Sequence, residues 1–155
     1  MKTYRYLTDF YNNYDEDSRL MVKHGSVEFL TTMHYIGKYI KPGDRVLEIG
    51  AGTGRYSHAL ARQSHTVDAV ELIEHNIEVF RRNTLPGENI TVVQGNALDL
   101  SAFQDNTYDI TLLLGPLYHL YSREDKQQAL REAIRVTRPG GVIFAAYVIS
   151  DGCLL

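Results

Sequence analysis

The segment VLEIGAGTGRYS, Val46 to Ser57, restricts the fold more than any other part of this chain. A mostly apolar run leads into three glycines at alternate positions, Gly50, Gly52 and Gly54, and then into a sequence able to form a helix. Glycine lacks a Cβ and takes up positive φ freely. Such a turn can bend sharply and pass close under a ligand while the amides of the next helix point at it. A plain strand-to-helix turn does not demand three glycines. The segment therefore predicts a βα unit with a ligand-binding turn, and the rest of the chain has to supply a sheet around it.

From Leu47 onward, short apolar runs alternate with amphipathic ones, as in a sheet of parallel strands covered by helices. Five strands are predicted: Arg45 to Ile49, Thr66 to Leu72, Ile90 to Gln94, Tyr108 to Leu114 and Val142 to Val148. Their apolar character implies burial on both faces. Ile73, Ile77 and Phe80 form one helical stripe. Ser122 is the expected N-cap of REDKQQALREAIRVTR, with acids in its first turn, Leu130 and Ile134 marking its core face and RPGG ending it. Between the third and fourth strands a short helix near Leu98 to Phe103 is expected. Ahead of the first strand, Phe29, Met33, Ile36 and Ile40 mark a helix that packs on the sheet, and KPGD turns the chain into it. The fifth strand, within VIFAAYVI, is an apolar edge. A second copy forming a homodimer, or further strands of a longer protein, would cover it.

Composition narrows the class. At 155 residues, 44% hydrophobic and 23% charged, the chain fits one domain over 1–155 with its own core. The net charge of -3, with basic residues scattered, gives no nucleic-acid or membrane footprint. A single cysteine, Cys153, excludes an internal disulfide, and MKTYRYLTDF has no apolar signal core. No apolar run is long enough to span a bilayer. A cytoplasmic location is expected.

Two cofactor classes use a glycine-rich first turn. Dinucleotide enzymes need G-x-G-x-x-G, and the position three after Gly52 is Arg55, where that pattern wants glycine or alanine. A nicotinamide oxidoreductase is thus the poorer reading. Read as E-x-G-x-G-x-G, the residues Glu48, Gly50, Gly52 and Gly54 resemble motif I of class I S-adenosylmethionine-dependent methyltransferases. The likeness continues through Glu71 at the end of the second strand, GNALDL after the third, YDITLLLGPLYHL at the fourth and REAIRVTRPGGVIFAAYV at the end, about Lys41 to Ser150.

This resemblance implies an α/β fold: a Rossmann-like three-layer αβα sandwich with a mostly parallel sheet in the order 3-2-1-4-5, plus N-terminal helices. It implies S-adenosylmethionine as cofactor and S-adenosylhomocysteine as product. Glu48 would take up the cofactor's amino group directly or through water. Gly50, Ala51 and Gly52, with Gly54, would pass under its methionine and ribose portions. Glu71 would accept the ribose hydroxyls, Leu72 would flank the adenine, and Asn96 and Ala97 would meet its edge. Leu114 and Gly115 would floor the sulfonium, and Tyr118 and His119 would face the acceptor. Residues 1–40 would form a helical lid over the core at 41–155, with Tyr11, Tyr14, Arg19 and His24 over the cofactor and Tyr11 in contact with it.

Each assignment has a plainer alternative. Glu71 can be a solvated acid at a helix N-terminus, Asn96 a turn residue and Asp99 an N-cap. Tyr118 and His119 can pack beneath a helix, and the leader tyrosines can be ordinary core or surface residues. His34, His58, His65 and His75 show no metal spacing. The signature N/D-P-P-Y/F of many amine and base methylators is replaced by LGPLY, which favours a small-molecule acceptor over nucleic acid. A cofactor-binding module without its own catalysis is the alternative from another functional class.

Overall fold

The computed structural model describes residues 23–147. Helix α1, Lys23–Ile36, comes first, followed by strand β1, Arg45–Ile49, and helix α2, Arg55–Ala61. Strand β2, Thr66–Glu71, helix α3, Glu74–Asn83, and strand β3, Ile90–Gln94, complete the first half. Strand β4, Tyr108–Leu113, then leads through a 3-10 turn, Pro116–Tyr118, to helix α4, Arg123–Val136, and strand β5, Thr137–Ala145.

The strands form one sheet in the order β3-β2-β1-β4-β5, every neighbouring pair parallel. The first two connections step outward from β1 to β2 and β3, and the third carries the chain back past β1 to β4 on its other side. The carboxyl ends of β1 and β4 therefore flank a topological switch point, where ligands sit in open sheets of this kind. One core cluster centres on Leu47, Ile49, Leu113, Ala129 and Ala133, a second on Ile36, Val46, Leu60, Val67 and Leu112, and a smaller third on Ala51, Ala69 and Phe80. Because side chains alternate along a strand, neighbours such as Val46 and Leu47 feed opposite clusters.

Phe29, Met33 and Ile40 pack on the second cluster together with buried Ile36, as their spacing predicts. Four expectations need correction. The strands are not all buried on both faces: β3 is an edge, with Thr91, Val93 and Gln94 exposed. Leu130 packs on the first core cluster as expected, but Ile134 is 62% exposed, and the fully buried residues of α4 are Ala129, Ala133 and Val136. Small side chains let α4 sit close to the sheet, and Ile134 falls off the stripe.

Leu98 to Phe103 forms successive turns rather than the expected short helix. Its backbone bonds go to α4 instead: Leu100 N–H donates to Glu132, and Arg135 donates to the carbonyls of Leu100 and Phe103. Lastly, β5 begins at Thr137, five residues before the predicted start. Thr137 pairs with Tyr108 and Val142 with Ile110, so 138–141, the RPGG segment, bulges out opposite Asp109. A Cβ on Gly141 would lie 2.8 Å from the Asp109 carbonyl oxygen, which is why a glycine closes the bulge.

Candidate functional site

The carboxyl ends of β1, β2 and β4, with the loop after β3, bring the predicted residues to one edge of the sheet. At its centre the chain leaves Ile49 through three residues of positive φ, Gly50 at 74°, Gly52 at 55° and Gly54 at 90°. The Gly50 and Ala51 amides both donate to the Val70 carbonyl, which ties the start of the turn to β2.

Space explains two of the three glycines differently from the expectation of a ligand-sized hollow. A Cβ on Gly50 would sit 2.6 Å from Pro116 Cγ, and one on Gly54 would sit 2.4 Å from Phe80 Cε2 and 2.9 Å from His58 Nε2. Pro116, in the turn after β4, thus covers Gly50, while Gly54 lets α2 close against α3. Protein packing, not a cofactor, fills the room at these two positions. Gly52 is the glycine whose amide meets a site residue, since it donates to Glu71 Oε2 at 2.7 Å.

Glu71 ends β2 and is buried, at 6% exposure. Its other oxygen, Oε1, accepts from Ile73 N–H at 2.9 Å and from Asn76 Nδ2 at 3.3 Å. It is therefore no solvated surface acid. Burial raises its carboxyl above the ordinary range, against the lowering by these donors. Glu48, on β1, is 3% exposed, and its Oε2 accepts from both Ser57 N–H at 2.9 Å and Ser57 Oγ at 2.5 Å. Burial pushes Glu48 up to about 7, and the nearby Glu71 carboxylate adds to the rise.

Two desolvated carboxylates beside the turn disfavour a polyanion and favour a ligand that carries cationic charge and hydroxyl donors. An aminoacyl nucleoside sulfonium has both, and a pyrophosphate has neither. Arg55, at the third dinucleotide position, stacks its guanidinium 4.3 Å from the Phe29 ring centroid on α1. These residues could hold S-adenosylmethionine, with Glu71 accepting from a vicinal diol, Glu48 accepting from an ammonium and the turn giving close backbone approach.

The remaining residues divide. Leu72 is half-buried, and its carbonyl accepts from Gln94. Asn96 folds its Oδ1 back onto Leu98 N–H at 3.0 Å, as a turn residue does. Ala97 is buried in the first core cluster, so only its backbone can meet a ligand edge. Asp99 accepts from Ser101 N–H and caps a turn. Leu114 packs on the second cluster, and Gly115 lies against the Gly50 carbonyl. Tyr118 is exposed and His119 half-buried, both at the end of the 3-10 turn. Tyr11, Tyr14 and Arg19 fall outside the described residues.

The sequence reading missed Ser57, Asn76 and Pro116, each of which holds a site residue or the turn itself. Among the described residues no group of His, Cys, Asp or Glu could hold a metal ion, and no helix is long and apolar enough to cross a membrane.

A family model described as a methyltransferase domain matches residues 47–145, from within β1 to the end of β5. The chain belongs to the class I S-adenosylmethionine-dependent methyltransferases. S-Adenosylmethionine is the methyl donor of this family. The demethylmenaquinone methyltransferase of Staphylococcus aureus strain JH9 is 32% identical over 108 residues, covering 67% of this chain and 43% of the relative. The chain thus spans less than half the length of the curated relatives it matches. Among solved structures, a Pyrococcus horikoshii protein superposes with a TM-score of 0.75 at 24% identity, covering 87% of this chain and 63% of that one. A S-adenosylmethionine-dependent methyltransferase from Methanosarcina mazei gives a TM-score of 0.65 at 25% identity, covering 70% and 54%.

Proposed function

We propose that this chain binds S-adenosylmethionine over the turn after β1 and transfers its methyl group to a small-molecule acceptor. The donor supplies an electrophilic methyl group whose leaving group is neutral, so alignment and exclusion of water are the protein's main tasks. Glu71 accepts the ribose hydroxyls and Glu48 takes the amino group. Leu72 and the Asn96–Ala97 backbone bracket the adenine, and Leu114 with Gly115 floors the reacting centre. Tyr118 and His119 orient the acceptor or take its proton.

The observation that carries this reading is the Glu71 carboxylate: buried at the end of β2 beside the switch point, and bonded to Gly52 N–H at 2.7 Å. An acid kept out of water at this position, in contact with the glycine turn, serves a ligand better than it serves the fold. The small-molecule class draws support from the sequence at LGPLY and from the relative named as a demethylmenaquinone methyltransferase.

Isothermal titration of S-adenosylhomocysteine tests the proposal. Binding is expected in the wild type, and Glu71→Ala should weaken it by roughly 1.5 to 3 kcal/mol, the range for losing a charged hydrogen-bond partner. Affinity unchanged in that variant would remove Glu71 from the site. Turnover against a panel of small acceptors then separates an enzyme from a binding module, because binding without transfer to any of them assigns the module.

A further inference from the structure

The carboxylate that ends β2 is held from two sides. Gly52 N–H reaches Oε2 from the glycine turn, and Ile73 N–H and Asn76 Nδ2 converge on Oε1 from α3. The Ile73 amide, at the N-cap of α3, already ties the carboxylate to that helix. Asn76, the third residue of that helix, is 3% exposed. Asparagine is a weak helix former, and a buried amide is costly unless its polar atoms are used. An apolar residue would serve the helix better at this place. What Asn76 adds is a second donor to the same oxygen. Gly52 N–H and Ile73 N–H already place one donor on each oxygen, and Asn76 adds a third that stiffens the plane they set.

We infer that Asn76 is a positioning residue, which locks the plane of the Glu71 carboxylate so that the site prefers a nucleoside with an intact ribose diol over its deoxy form. The inference rests on the proposed role of Glu71. Two hydroxyl groups on adjacent carbons engage a carboxylate together only when its plane is set, while a single hydroxyl tolerates rotation. Loss of Asn76 should therefore be felt by the diol and hardly at all by a ligand that presents one hydroxyl. A helix-stabilising role predicts no such selectivity, because loosening α3 would weaken both ligands alike.

The test is titration of S-adenosylhomocysteine and its 2′-deoxy analogue into wild type and Asn76→Ala, with thermal melting of each protein alongside. The wild type should prefer the ribose form by at least about tenfold. In Asn76→Ala the ribose form should weaken by about tenfold and the deoxy form by less than about twofold, so the preference collapses toward unity. If the alanine variant does not fold, Asn76→Ser is titrated instead. The same collapse is expected there, because a serine side chain is too short to reach Oε1. Equal weakening of both ligands, or an unchanged preference, overturns the inference and leaves the proposed function standing. A wild type that binds S-adenosylhomocysteine without any ribose preference removes the diol role of Glu71 and this inference with it. A wild type that binds neither ligand overturns both readings.

Discussion

Gly54→Ala should destabilise the fold by about 4 kcal/mol, a large part of the 5 to 15 kcal/mol that holds a domain of this size together. Two independent costs add. Gly54 sits at φ 90° and ψ 23° as the N-cap of α2, and a residue with a Cβ pays roughly 1 to 2 kcal/mol in the left-handed region. The new methyl would also lie 2.4 and 2.5 Å from two carbons of the Phe80 ring, which is fully buried and cannot swing into solvent. Overpacking of that kind costs roughly 1 to 3 kcal/mol. Urea denaturation with a fixed m-value measures the sum, and a loss below about 1 kcal/mol would mean that α2 and α3 are not pressed together here. A double-mutant cycle isolates the packing part. Phe80→Leu in the alanine background should recover some of the loss, because the two residues share one contact, while the dihedral cost stays.

Gly54 is needed for packing against Phe80 and not, as its place in the glycine turn suggests, for a ligand. The number and spacing of the three glycines mark a backbone that must take positive φ, and all three do. What occupies the space above each is a long-range fact. Phe80 and Pro116 are distant in sequence from the glycines they cover, and no local pattern ties them together. Glu71 was legible because a strand end is easy to locate. Its partner Asn76 was not, since a polar residue in a first helical turn usually reads as surface.

The sheet order was readable because each strand is a compact apolar run bounded by turn residues, and parallel strands joined by helices leave few topologies open. The errors lie where packing overrides local preference. Ile134 is the bulkier residue, yet alanines face the sheet because a helix seated close to strands needs small side chains. The Leu98–Phe103 segment has helix-compatible residues but gives its backbone bonds to Arg135 and Glu132, more than thirty residues away. RPGG reads as a loop between helix and strand, and it is a bulge within a strand that has already begun.

Glu48→Gln should raise stability at pH 8 by about 3 kcal/mol and at pH 5 by less than about 1 kcal/mol. The wild-type carboxyl titrates at about 7 in the folded protein and near 4.5 as an ordinary glutamate, with burial the main cause. As pH rises through this window the unfolded chain gives up its proton first. Glu48 therefore contributes its full stability below about pH 4.5 and loses it as pH climbs through 7. A shift of that size corresponds to about 3 kcal/mol at 1.36 kcal/mol per unit. Glutamine carries no charge and keeps an oxygen to accept from Ser57 N–H and Oγ, so its stability should be flat across the same range. Urea midpoints measured from pH 5 to 8 on both proteins provide the comparison. A wild type whose stability does not fall over this interval would mean that the carboxylate is hydrated and not buried. The same substitution should act in the opposite direction on cofactor binding. If Glu48 receives the amino group as proposed, the glutamine variant should bind S-adenosylhomocysteine more weakly at pH 8 while resisting urea better. Opposite signs from this one substitution would assign Glu48 to the ligand, because glutamine would satisfy Ser57 without burying a charge.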